Sequence, residues 1–136
     1  MTLNKMTRYA LYAAMEMAKA GGRPLTVAEV AALYGIPESA LAKAFQQLVR
    51  AGLAQGTRGV GGGYRLSGPP SGTTVLDIIR AYEPPRGEGH CLLADSPSSA
   101  CGQTADCRLR RLFDEVDEMA RCTLASVTLE TLVKRA

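Results

Sequence analysis

The sequence predicts a mainly α-helical chain with one small β-hairpin: a winged helix-turn-helix followed by a long C-terminal dimerisation helix. Three observations predict it. Two short amphipathic patterns flank Gly35, a glycine-rich run from Arg58 to Gly63 separates two β-prone segments, and apolar residues recur every three or four positions from Leu109 to Leu124.

At 136 residues, 46% of them apolar, the chain is one domain, or one domain with an arm, and can fill a core. Met1 to Lys5 leads into an amphipathic pattern, not an apolar run. No stretch approaches the roughly 18 apolar residues of a membrane span. A soluble cytoplasmic protein without a membrane partner is expected. The net charge of +3 is mild, but its distribution is uneven. From Lys5 to Arg65 eight basic residues face three acidic ones, whereas Asp114, Glu115, Asp117 and Glu118 gather later. A basic half suits a polyanion partner, and a solvated basic face would look similar.

Leu3, Met6, Ala10, Ala13 and Met17 recur at helical spacing, with Lys5, Arg8, Tyr12, Glu16 and Lys19 opposite. Tyr9 and Tyr12 read as packing at the helix flank. This helix ends before Gly21-Gly22. Thr26 and Glu29 form a capping box for a short helix reaching Tyr34. Gly35 permits a sharp turn that Ile36 plugs, and Pro37 sits in the first turn of a helix from about Glu38 to Ala51. Two short helices joined in this way make a helix-turn-helix. Leu41, Ala44, Phe45 and Leu48 form the buried stripe of the second. Ser39, Lys43, Gln46 and Arg50 form its outer stripe, with Ala42 and Gln47 beside it, and these polar types suit base edges and phosphates.

Leu53 to Thr57 and Tyr64 to Leu66 read as strands. Four glycines in the six residues between them free the backbone for a turn and for close approach to another surface, Gly61 and Gly62 above all. No helix follows and no Lys-Ser/Thr is present, so the run does not read as a nucleotide loop. It reads as a wing with Arg58 at its tip, suited to a narrow, electronegative minor groove. Thr74 then caps a helix bearing Val75, Leu76, Ile78, Ile79 and Tyr82, which Pro84-Pro85 ends.

Cys91, Cys101 and Cys107 occupy a stretch of Gly, Pro, Ser, Asp and Gln that builds no element of its own. Thiols this close in a reducing compartment point to a metal or a redox switch. Zinc favours paired short spacings, which the gaps of nine and five residues are not. Iron–sulfur clusters accept irregular spacings and non-cysteine ligands. Cys122, inside the long helical pattern, reads as a packed thiol. That pattern carries Leu109, Leu112, Phe113, Val116, Met119, Ala120 and Leu124, more apolar surface than so small a core can fully cover, and so predicts a helix packed on a twofold mate, with an intramolecular cover for the winged helix as the alternative. Thr128 starts a last short helix, Leu129 to Lys134, able to clasp the first. Enzyme chemistry is not expected: the one histidine, His90, has no serine or carboxylate partner in view, and the carboxylates mostly sit on exposed helix faces.

Together these stretches resemble the IscR/NsrR-type transcriptional regulators (the Rrf-two family). The resemblance begins at Leu3 and Arg8-Tyr9-Ala10 and runs from Leu25 to Leu48. It is most specific at Ala51-Gly52-Leu53 and Arg58-Gly59-Val60-Gly61-Gly62-Gly63-Tyr64-Arg65-Leu66. It closes with Val75 to Ala81, the three cysteines and the Leu109 helix. It implies a dimeric winged-helix regulator of double-stranded operator DNA. It also implies a 2Fe–2S or 4Fe–4S cluster on Cys91, Cys101 and Cys107, and base reading by Ser39, Ala42 and Lys43 with Arg58 in the wing. Where the cluster branch has a histidine three residues after the third cysteine, this chain has Arg110. Where the nitric-oxide branch has an acid early in the first helix, it has Arg8. That leaves His90, Asp95, Asp106, Cys122 or a residue of the other subunit as the fourth ligand.

The expected organisation is a DNA-binding domain over 1–83, a cysteine-containing sensor loop over 84–106, and a dimerisation helix with a short terminal helix over 107–136. The expected function is a homodimeric regulator sensing redox, iron or nitric-oxide status, its DNA contacts made by Ser39, Lys43, Gln46, Arg50, Arg58, Gly61 and Gly62. Two alternatives stand beside it: a cluster-free regulator gated by thiol oxidation, and an iron–sulfur carrier or redox protein without DNA contact.

Overall fold

Short-range caps set most helix ends. Asn4 caps α1 (Lys5–Lys19), its Oδ1 accepting the Thr7 amide proton at 2.8 Å. Ala10, Ala13, Ala14 and Met17 line one face and are buried. Three alanines there let other helices come close, and α1 becomes the axis that α3, α4, α6 and the hairpin pack around. The computed structural model describes residues 3–83 and 106–134.

The expected capping box opens α2 (Val27–Tyr34): the Glu29 amide donates to Thr26 Oγ1 at 3.2 Å and the Thr26 amide to Glu29 Oε2 at 2.8 Å. Gly35 ends the helix at φ +64°, a conformation that costs any side-chain-bearing residue. The Ile36 amide then returns to Ala31 O at 3.2 Å. Pro37 stands at the N-cap of α3 (Glu38–Arg50), one place earlier than the sequence suggested, because its ψ of 130° is extended and not helical. Leu41, Ala44, Phe45 and Leu48 are fully buried, as their spacing predicts.

The hairpin pairs β1 (Ala54–Thr57) with β2 (Gly63–Leu66), antiparallel, Ala54 opposite Leu66 and Thr57 opposite Gly63. Leu25 adds a third, one-residue rung beside Tyr64, with hydrogen bonds of 2.8 and 2.7 Å. Distant residues thereby fasten the wing to the segment that precedes α2.

After a 3-10 turn at Pro70–Gly72, α4 (Val75–Arg80) carries a second capping box, Thr74 with Asp77. The chain is next described at Asp106, from which α5 (Arg108–Ser126) and α6 (Leu129–Lys134) follow. Leu129 is fully buried and α6 packs on α1, as expected of a clasp. Thr74 bridges Thr128, and Val75 and Leu129 donate to Val127 O and Thr73 O, each at 2.9 Å, so α4 is tied to the junction of α5 and α6.

No residue of α5 is buried. Leu109, Leu112, Phe113, Val116 and Met119 are 48–69% exposed along one stripe. Cys122, expected as a packed thiol, is instead exposed, because its turn of α5 meets no other element deeply enough to cover it. Among the described residues, no helix is long and apolar enough to cross a membrane.

Candidate nucleic-acid interface

The burial of Leu41, Ala44, Phe45 and Leu48 fixes which side of α3 remains outside. Ser39, Lys43, Gln46 and Arg50 all lie on that side and are exposed, as their spacing predicts. Ala42 and Gln47 stand at its margin, half-buried. Gln47 is already engaged: its Nε2 donates to Ala81 O at 3.0 Å. No side chain caps the start of α3, so its first-turn amides point outward beside Ser39.

An aromatic contact holds the wing against this helix. The rings of Phe45 and Tyr64 stack 4.7 Å apart with 21° between their planes. Between the outer side of α3 and the hairpin lies an open cleft of about 430 Å³, lined by Gln46, Val49, Arg50, Gly56, Thr57, Arg58 and Tyr64 among others. Arg50 and Arg58 thus face one groove from opposite walls. Among the described residues no ion pair takes up Lys43, Arg50 or Arg58, so these charges are available to an outside anion.

Arg58 is not at the tip of the wing. Thr57 pairs with Gly63, which makes Arg58 the first residue of the five-residue loop and puts Val60 in its middle, fully exposed. Close approach explains two glycines. A side chain on Gly62 would meet Thr57 O at 2.5 Å, and one on Gly63 would meet Leu25 O at 2.4 Å. Gly61 has φ +77° and open space around it. The contribution of Val49, Gly56 and Thr57 to the cleft was missed in the sequence. The alternation of β1 could have pointed to it once its register with β2 was known.

Of the three expected cysteine ligands Cys107 falls among the described residues; Cys91 and Cys101 lie outside them, as do His90 and Asp95. Cys107 is a free, half-exposed thiol at the N-cap of α5, where the chain enters from 84–105. Arg108, Arg110 and Arg111 follow it, a positive setting that suits an anionic thiolate-held group. Among the described residues no three His, Cys, Asp or Glu side chains converge as a metal site. Asp106 is exposed and paired with Arg111 at 3.0 Å. Cys122 stands fifteen residues along a straight helix from Cys107, about 22 Å at 1.5 Å per residue, too far to share one cluster with it in the same chain.

The profile of the Rrf2 family, described as iron-dependent transcriptional regulators, matches residues 3–135. BadM of Rhodopseudomonas palustris, assigned as an HTH-type transcriptional regulator, is 36% identical over 135 residues, which cover 98% of this chain and 82% of that protein. The structure of CymR, the global cysteine regulator of B. subtilis, superposes with a TM-score of 0.80 at 28% identity, covering 100% of this chain and 98% of the other. IscR of T. potens shares the fold with a TM-score of 0.75 at 24% identity, covering 98% of this chain and 87% of that one.

Proposed function

The chain belongs to the Rrf2 family of transcriptional regulators, and on that premise we propose that it acts as a homodimer on double-stranded operator DNA and senses redox, iron or nitric-oxide status through its cysteines. The observation that carries the DNA reading is the cleft between α3 and the wing, with Arg50 and Arg58 on facing walls and no acidic partner for either among the described residues. Ser39, Lys43 and Gln46 enter a major groove from the outer side of α3. Arg58 and the backbone of Gly61 and Gly62 follow the adjoining phosphates or minor groove.

The homodimer rests on α5. Its exposed stripe is symmetric about Asp114: Leu109 mirrors Met119 and Leu112 mirrors Val116. An antiparallel second copy centred there sets these four residues apolar to apolar, lays Phe113 at the level of Glu115, and brings Arg110 near Asp117 and Glu118 of its mate. Unlike charges then flank the seam, which favours this pairing over a parallel one.

The sensing group we propose is a 2Fe–2S or 4Fe–4S cluster held by Cys91, Cys101 and Cys107, with the fourth ligand from outside this set. Cys122 of the same chain is removed from the candidates by its distance along α5. Such a cluster supplies one-electron redox chemistry and reactivity towards nitric oxide. The division into a DNA-reading part over 1–83, a sensor segment over 84–106 and a dimerisation part over 107–136 belongs to the same proposal.

Two measurements test it. Operator affinity should fall with salt, by a slope of about −0.9 per phosphate neutralised, and Arg58→Ala should weaken binding and lower that slope by about one. An unchanged gel shift for Arg58→Ala would take Arg58 out of the DNA contacts, and a wild type that shifts no DNA at low salt would favour a carrier protein without DNA contact. Anaerobic purification should give a coloured protein containing iron and sulfide. A colourless, iron-free protein from cluster-competent cells would defeat the cluster and leave a regulator gated by thiol oxidation.

A further inference from the structure

The last three residues described before position 84 are each fastened elsewhere. Ala81 O accepts from Gln47 Nε2 at 3.0 Å. The Tyr82 phenol donates to Ala44 O, in the middle of α3. Glu83 Oε1 accepts from the Asn4 amide at 2.7 Å and lies 3.2 Å from the Thr7 hydroxyl, on a threonine that is fully buried. Burial pushes the Tyr82 phenol well above its ordinary range, so it stays protonated and remains a donor.

Ala44 and Gln47 belong to the helix whose neighbouring residues Lys43 and Gln46 face outward. The other end of α4 is tied to the α5–α6 junction through Thr74 and Val75. The six-residue α4 is therefore a strut with polar fastenings at both ends, α5 on one side and the recognition helix on the other. Close packing of Leu41, Ala44, Phe45 and Leu48 sets where α3 lies, and small adjustments of its roll remain within that packing. Two hydrogen bonds of fixed direction, one to its backbone and one from Gln47, restrict those adjustments.

We propose that Tyr82, with Gln47, is a positioning residue for DNA reading: it fixes the attitude of α3 relative to the dimer helix, and hence the separation of the two recognition helices. This rests on the dimeric operator reading above. It goes beyond that reading by naming residues that set half-site geometry from behind the outer side of α3. It also gives Cys107 a route to α3 through described elements, since α5 begins after Cys107 and packs on α4, just beyond whose end Tyr82 is fastened.

The test uses full-length protein and an operator selected by the wild type from random duplexes, rebuilt with one base pair added or removed between half-sites. Dimeric readers require half-sites about one helical turn apart, so the wild type should reject both altered spacings. Tyr82→Phe keeps the ring and deletes only the hydroxyl. It should retain dimer mass and helical content, bind the selected operator more weakly, and lose at least threefold of the discrimination between spacings. Gln47→Ala should do the same to a smaller degree. Loss of affinity in equal proportion on all three duplexes would mark a merely structural role and overturn the proposal, as would unchanged discrimination. A wild type indifferent to spacing would overturn the dimeric reading and this proposal together.

A double-mutant cycle with Cys107→Ser tests the route. The effect of Cys107→Ser on operator affinity should shrink at least threefold in the Tyr82→Phe background. Independent, multiplying effects would overturn the route. No effect of Cys107→Ser in the wild-type background would instead overturn the sensor reading, with the spacing panel still deciding the role of Tyr82.

Discussion

Gly63→Ala is the sharpest test of how the wing is held. Gly63 has φ +151°, and a Cβ there would lie 2.4 Å from Leu25 O and 2.7 Å from Leu25 C. Both are backbone atoms, which cannot swing aside as a side-chain end can. The strand must part from Leu25, breaking the pair of hydrogen bonds between Leu25 and Tyr64 at 2.8 and 2.7 Å. Each contributes about 1 kcal/mol net, and the backbone conformation adds about 1–2 kcal/mol of strain for a residue with a side chain. The sum is about 3–4 kcal/mol, or about 10 °C in Tm for a domain of this length. Tyr64 would also be displaced from its stack on Phe45, freeing the wing from α3, so operator affinity should fall by more than the stability loss alone explains. Urea denaturation gives the first quantity and fluorescence anisotropy on operator DNA the second. Gly68→Ala is the control: nothing lies within 4 Å of its Cβ position, and it should change stability by less than about 1 kcal/mol. A Gly63→Ala protein as stable as the wild type would refute the wing attachment described here.

Two further predictions concern α5 and α2. Leu112→Glu with Val116→Glu places four carboxylates in the seam of the dimer. Burying the five half-exposed stripe residues of each helix contributes about 10 kcal/mol at about 1 kcal/mol per side chain, close to the cost of association itself. The double variant should run as a monomer by light scattering while keeping its helical circular dichroism; a retained dimer mass would place the interface elsewhere. Glu29 is held below the usual carboxylate range, first by the Thr26 amide and then by Arg23. A lowered folded-state value stabilises the fold above the unfolded value, and that contribution is lost as pH falls through the folded one. Glu29→Gln keeps an acceptor for the cap but cannot titrate. It should flatten the acid limb of thermal stability below about pH 5, and an identical acid limb in both proteins would show that the cap does not titrate with folding.

Some of this was legible in the sequence for a local reason. A cap, a glycine stop or a stripe at spacings of three and four acts within one or two turns of chain. Thr26 with Glu29, Gly35, and Leu41 through Leu48 could therefore be assigned without knowing what packs against them. The wing was legible as a hairpin, but the place of Arg58 in it was not. That place depends on Thr57 pairing with Gly63, and a one-residue change in register moves the tip. Cys122 is exposed within its own chain, where the sequence suggested a packed thiol, because spacing within a helix does not say which neighbours cover it.

The sequence by itself determined the elements, their order and the polar character of the outer side of α3, because each follows from short-range chemistry. Only the tertiary structure decided how that side is held in place. The fastenings of Tyr82 to Ala44 O, Gln47 to Ala81 O and Glu83 to Asn4 and Thr7 join residues 34 to 79 positions apart. Two of them end on backbone carbonyls. A carbonyl is the same in every residue and leaves no mark in the sequence, so the strut behind the recognition helix appears only once the chain has folded.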